Sequence, residues 1–115
     1  MPSREWQFRI LDMLDCIAKV RTYTKNLSQA GLANDDKTVD AILHNIEIIG
    51  EASRHVPKRI YEKYPEIRWI DIRGMRNIIA HSYFGIDLRI VWRVATRDLL
   101  TLEKQLKALR DAEDF

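Results

Sequence analysis

One cysteine among 115 residues, Cys16, leaves nothing to close a disulfide within the chain. Its place in an amphipathic run marks a buried thiol in a reducing compartment. Only three prolines and four glycines punctuate the sequence, so long stretches carry no breaker of helical structure. No run approaches the roughly 20 apolar residues that a membrane-spanning helix requires. The early charges Arg4, Glu5 and Arg9 precede no uninterrupted apolar segment of the secretory kind. These absences point to a cytoplasmic protein with no membrane association. A net charge of only +2 supplies no global field for a polyanion. No glycine-rich phosphate loop is present either, so nothing supports a nucleotide hydrolase of that type.

What is present is the composition of a folded chain, 46% apolar and 31% charged, at a length suited to a single domain over residues 1–115. Pro2-Ser3 is a helix-start signal. Ile10, Met13 or Leu14, Ile17 and Val20 then recur at helical spacing, predicting a first helix from about Arg4 to Asn26. Gly31 and Asn34-Asp35 mark a loop, with Asp35 or Asp36 available as a cap. The second helix carries Val39, Leu43 or Ile42, Ile46, Ile49 and Ala52, and Pro57 ends it. "PKRIYEKYP" has room for one short helical turn. A third long helix from Glu66 to about Ser82 aligns Ile72, Met75 and Ile79, and Phe84-Gly85 breaks it. Asp87 then caps a last helix whose seam is Val91, Ala95, Leu99 or Leu102, Leu106 and Leu109. With no alternating strand pattern, the fold class is all-α, an antiparallel bundle of four to five helices. Trp69 and Trp92 are expected to bury large surfaces, and leftover apolar residues on the first and last helices suggest a partner subunit.

Charge is distributed unevenly. Between Ala52 and Arg76 stand seven basic residues (Arg54, Lys58, Arg59, Lys63, Arg68, Arg73, Arg76) against three acidic ones (Glu62, Glu66, Asp71). That segment is either a solvated face or the contact surface for a polyanion. It leads into "RNIIAHSY", residues 76–83. On a helix, Arg73, Asn77 and His81 form one polar stripe, and Arg76 and Tyr83 lie almost in line beside it. Cation, amide, imidazole and phenol suit RNA phosphodiester chemistry. An imidazole can exchange protons with the 2′-hydroxyl or the leaving oxygen, and a guanidinium can hold the phosphate and its developing charge. No metal or other cofactor is needed. One histidine cannot easily be both base and acid, and a dimer would supply the second. The structural alternative pairs Arg76 with Glu47 or Glu51, bonds His81 to a backbone carbonyl and packs Tyr83. Asp40, His44, Glu47, Glu51 and His55 also fall on one helical stripe, but no second helix offers matching ligands, so a metal site is not expected.

The motif and its surroundings resemble a known family. "RNIIAHSY" looks like the Arg-x4-His-x-Tyr motif of HepT-like proteins in the HEPN superfamily. "DAILHNIEIIGEASRHVP" resembles that family's second helix, and "YPEIRWIDIRGMRNIIAHSYFGIDLRIVW" the segment around its active site. With "RILDMLDCIAKVRTYT", the likeness covers nearly the whole chain. It implies a homodimeric helical ribonuclease with its cleft at the dimer interface. Such proteins act as toxins, paired with a minimal nucleotidyltransferase (MNT) antitoxin. It also implies that Arg76 and His81 are the catalytic pair, that Asn77 helps to shape the site, and that Tyr83 receives AMP from the antitoxin. To these the helical stripe adds Arg73 as an RNA-phosphate contact. The competing expectation is a HEPN-type module that docks on a nucleotidyltransferase without cutting RNA.

Overall fold

The computed structural model describes residues 5–80, 85 and 87–115, with the backbone alone at 76 and 78–80. Every regular element among them is helical: α1 (Trp6–Thr24), α2 (Gln29–Leu32), α3 (Asp36–Ser53), α4 (Lys58–Lys63), α5 (Trp69–Ala80), α6 (Leu88–Arg93) and α7 (Leu99–Glu113), with a π-helical turn over Val94–Asp98. The all-α bundle expected from the apolar spacing is the fold found.

The stripe on α1 is buried as its spacing required: Ile10, Met13, Ile17 and Val20 are closed to solvent. On α3 the buried set is Val39, Ile42, Ile46, Ile49 and Ala52, which resolves the alternative of Ile42 or Leu43 in favour of Ile42. Asp35 caps α3, its carboxylate accepting from the Thr38 amide at 3.1 Å and from the Thr38 hydroxyl at 2.7 Å. Those bonds hold its pKa below the ordinary carboxylate value, the hydroxyl contributing most. Asp87 caps α6 in the same manner through the Arg89 amide.

α1 lies between α3 and α7 and runs antiparallel to α7, while α5 lies against α3. Trp6, opening α1, meets Phe115 edge-on at the chain's end. At the other end of α1, Arg21 pairs at 2.6 Å with Glu103 near the start of α7. Glu103 is buried, so this pair joins α1 to α7 with a charge-assisted bond in a partly dry setting. Burial also raises the pKa of the Cys16 thiol on α1.

Four details depart from the sequence reading. The segment around Gly31, expected as loop, forms a turn of helix. Ser28 caps it by accepting from the Gly31 amide, and the turn delivers Leu32 fully into the core. The third long helix starts at Trp69 rather than Glu66. The chain after Pro65 is held in a turn by bonds from the Ile67 amide to Tyr64 and from the Trp69 amide to Ile67. Trp92 is only partly buried, and Trp6 is the second tryptophan of the core. Finally, the last helix is not regular throughout. In an unbroken α-helix the residue seven after Val91 falls on its seam, and that residue is Asp98. The π turn accommodates one extra residue, so that Leu99 takes the buried place and Asp98 stays exposed. The side chain of Ile79, and Ser82 and Phe84, carried further expectations that lie outside the described residues.

Candidate active site

α5 is the element that carries the candidate chemistry, and its position is set from both ends of a short connection. The Tyr61 hydroxyl of α4 donates to the Ser53 carbonyl at the end of α3, and the Tyr61 ring stacks on Trp69 with centroids 4.7 Å apart. Trp69 in turn donates its indole N–H to the Tyr64 carbonyl at 3.0 Å. One turn further in, α3 and α5 touch backbone to backbone. A Cβ placed on Gly50 would lie 3.2 Å from the Ile72 carbonyl oxygen, so glycine is the residue that lets α5 approach this closely. The helices run antiparallel from that crossing. The α3 turn bearing Glu47 therefore continues alongside the α5 turn that begins at Arg73.

Arg73 and Asn77 are both exposed on α5, as the helical stripe predicted. Burial raises the Tyr61 pKa, and the Arg73 charge offsets part of that rise. Arg73 pairs with no carboxylate among the described residues, whereas Lys58, Lys63 and Arg68 are paired with Glu62, Glu113 and Asp71. The backbone of Arg76 belongs to α5, but its side chain lies outside the described residues, as do His81 and Tyr83. The structure thus brings Arg73 and Asn77 onto one helix face and leaves the geometry of the Arg76, His81 and Tyr83 side chains undescribed.

Around this helix, two features were not singled out by the sequence reading. Ile70 is 84% exposed, far more than the other large apolar residues among the described ones. Gly74, in the middle of α5, has no atom of the described residues within 4 Å of the place a Cβ would occupy. The available signal was a glycine inside an otherwise strong helical pattern. On the opposite flank of α5, Arg68, Asp71, Ile72 and Met75 face Asp98, Thr101, Leu102 and Gln105 across a groove of about 290 Å³. Gln105 spans it with a bond to the Glu66 carbonyl at 3.0 Å.

The acidic and histidine stripe of α3 faces solvent: Asp40, His44, Glu47, Glu51 and His55 are all exposed, and His55 stands 3.8 Å from Glu51. Among the described residues no three His, Cys, Asp or Glu side chains gather closely enough to hold a metal ion. Nor is any described helix long and apolar enough to cross a membrane.

Comparison with known proteins gives the family. The profile of the family described as "Ribonuclease HepT-like" matches residues 13–109. A Methanocaldococcus jannaschii protein provisionally named an RNase is 33% identical over 114 residues, 98% of this chain and 94% of the relative. A Thermococcus cleftensis protein provisionally named ribonuclease HepT is 32% identical, covering 86% of this chain and 90% of the relative. A third, from Caldanaerobacter subterraneus and also provisionally named an RNase, is 36% identical over 77% of this chain and 80% of its own length. No solved structure matches. A helical bundle with its cationic helix α5 laid on α3, matched by the family profile from the first helix to the last, belongs to the HepT-like ribonuclease family.

Proposed function

We propose that this chain is a metal-independent endoribonuclease, the toxin of a HEPN/MNT toxin–antitoxin pair. The observation that carries the reading is the family match over residues 13–109, a span that contains the intact Arg76-x4-His81 motif. In this reading the Arg76 guanidinium holds the scissile phosphate and stabilises the charge that builds on it. The His81 imidazole takes the proton of the 2′-hydroxyl, whose oxygen attacks the adjacent phosphorus. The bond to the 5′-oxygen breaks, leaving a 2′,3′-cyclic phosphate, and the departing oxygen receives a proton. A second imidazole, from the partner copy of a homodimer, is the natural donor of that proton. Asn77 shapes the site and Arg73 binds a neighbouring phosphate.

Silencing follows from electrostatics. In AMP transfer on the cognate nucleotidyltransferase, the Tyr83 oxygen, losing its proton, takes the α-phosphorus of ATP and pyrophosphate leaves. The attached AMP places a phosphate beside Arg76 and bulk before His81. The modification thus competes with the RNA phosphate for the same cation. The substrate is cellular RNA, with tRNA as the first to examine.

Induced expression tests the reading directly. Wild type should arrest growth, His81→Ala should not while accumulating as folded protein, and co-expression of the nucleotidyltransferase should rescue the wild type. Equal behaviour of wild type and His81→Ala would refute the ribonuclease and bring forward a docking module.

A further inference from the structure

Two properties of α5 serve no purpose within the described chain. A mid-helix glycine weakens a helix and is usually retained where another backbone must come close, as at Gly50. Gly74 has no such neighbour within 4 Å among the described residues. Ile70, one turn before it, presents a whole branched side chain to solvent, where it adds nothing to the core. Ile70, Gly74 and Asn77 stand at i, i+4 and i+7, so they share one face, and Arg73 flanks it as a cation with no carboxylate partner among the described residues. The strip extends about 10 Å along the helix. In sequence, His81 follows Asn77 by four.

We infer that this strip is the track for an unpaired stretch of the RNA substrate, with Gly74 as the notch into which the sugar–phosphate backbone settles. The inference rests on the ribonuclease reading and adds to it what selects single-stranded substrate. Arg73 takes a phosphate at the edge of the notch, and the glycine lets the ribose come down to the helix backbone where any Cβ would hold it off. Ile70 covers the face of a base. Only an unstacked nucleotide offers that face, because in a duplex it is already covered by its neighbours. The Asn77 amide can then bond a base edge or a 2′-hydroxyl. Charge complementarity favours RNA over a protein occupant. Lys58, Lys63 and Arg68 are neutralised by Glu62, Glu113 and Asp71, whereas Arg73, the cation beside the notch, pairs with no carboxylate among the described residues.

The test compares wild type with Gly74→Ala, Ile70→Ser and Arg73→Ala. Each is measured for thermal melting, for sedimentation, for binding of a fluorescein-labelled oligouridylate and of a labelled RNA duplex, and for cleavage of cellular RNA. Gly74→Ala should melt higher than wild type yet bind the oligouridylate about tenfold more weakly, the loss of one close contact. Ile70→Ser should melt as wild type and lose its preference for single strand over duplex. Arg73→Ala should lower the slope of log affinity against log salt by about one. If all three bind the oligouridylate as wild type does while His81→Ala alone abolishes cleavage, the strip is not the track, and the ribonuclease reading stands without it. If Gly74→Ala or Ile70→Ser changes the sedimentation coefficient, the strip is an interface between copies and the inference is overturned. A wild type that neither binds nor cleaves RNA overturns both.

Discussion

Replacing Gly50 with alanine probes the contact that seats α5 on α3. In a helix interior the change from glycine to alanine should by itself stabilise by about 1 kcal/mol, through reduced freedom of the unfolded chain. At Gly50 the new methyl lies 3.2 Å from the Ile72 carbonyl oxygen. That atom is backbone and cannot rotate aside, so α5 must withdraw by a few tenths of an ångström. Forcing an extra carbon into a packed contact costs about 1–3 kcal/mol. The net result is a protein between unchanged and about 2 kcal/mol less stable. Gly74→Ala supplies the reference, because it carries the same intrinsic gain with no atom of the described residues within 4 Å of the new methyl. The two variants should therefore differ by about 1–3 kcal/mol. On a domain of this size 1 kcal/mol corresponds to about 4 °C in melting temperature. Urea unfolding followed by the fluorescence of the buried Trp6 and Trp69 reads the difference, provided the slopes against urea are equal. A Gly50→Ala protein stabilised as much as Gly74→Ala would refute the close crossing, and with it the account of how α5 is positioned.

Three further outcomes follow from other parts of the molecule. The Tyr64 hydroxyl donates to Glu113 at 2.6 Å and its pKa is pushed up to about 12, chiefly by that bond. The neutral phenol is therefore favoured by the fold, and its contribution is complete below about pH 10 and lost as pH rises towards 12. Tyr64→Phe should flatten the alkaline decline in melting temperature, and an unchanged decline would count against the bond. Leu106→Ala, at a fully buried position, should cost about 3 kcal/mol in urea unfolding, and a loss below about 1 kcal/mol would contradict its place in the core. Cys16, its thiol pKa raised by burial, should resist a thiol reagent in the native protein and react on unfolding, so rapid native labelling would argue against the packing of α1.

Local pattern carried much of the architecture. The stripes of α1 and α3, the Asp35 and Asp87 caps and the turn between Pro57 and Pro65 are all consequences of nearest neighbours along the chain, and each could be read from residue spacing. The features that escaped depend on what lies across the bundle. Gly31 reads as a loop former until Leu32 is seen to need a helical turn to reach the core. Trp6 and Trp92 look equivalent in sequence and differ only in what packs over them. At the site, the placement of Arg73 and Asn77 on an exposed face followed from the helical period of the apolar residues around them. The Gly50 crossing did not, because two glycines on two helices look alike, and only the fold distinguishes the one under a backbone from the one under open space.

The π turn at Val94–Asp98 bears on how the chain can vary in length. An added or lost residue inside a helix ordinarily rotates everything after it by about 100° and turns the buried face outward. Here one surplus residue is already absorbed in a single wide turn that follows the exposed Arg93 and ends on the exposed Arg97 and Asp98. Deleting Arg97 would return the segment to a regular α-helix and leave Leu99, Leu102, Leu106 and Leu109 where they are. The last helix thus has one place where its residue count can change without disturbing the face it turns to α1.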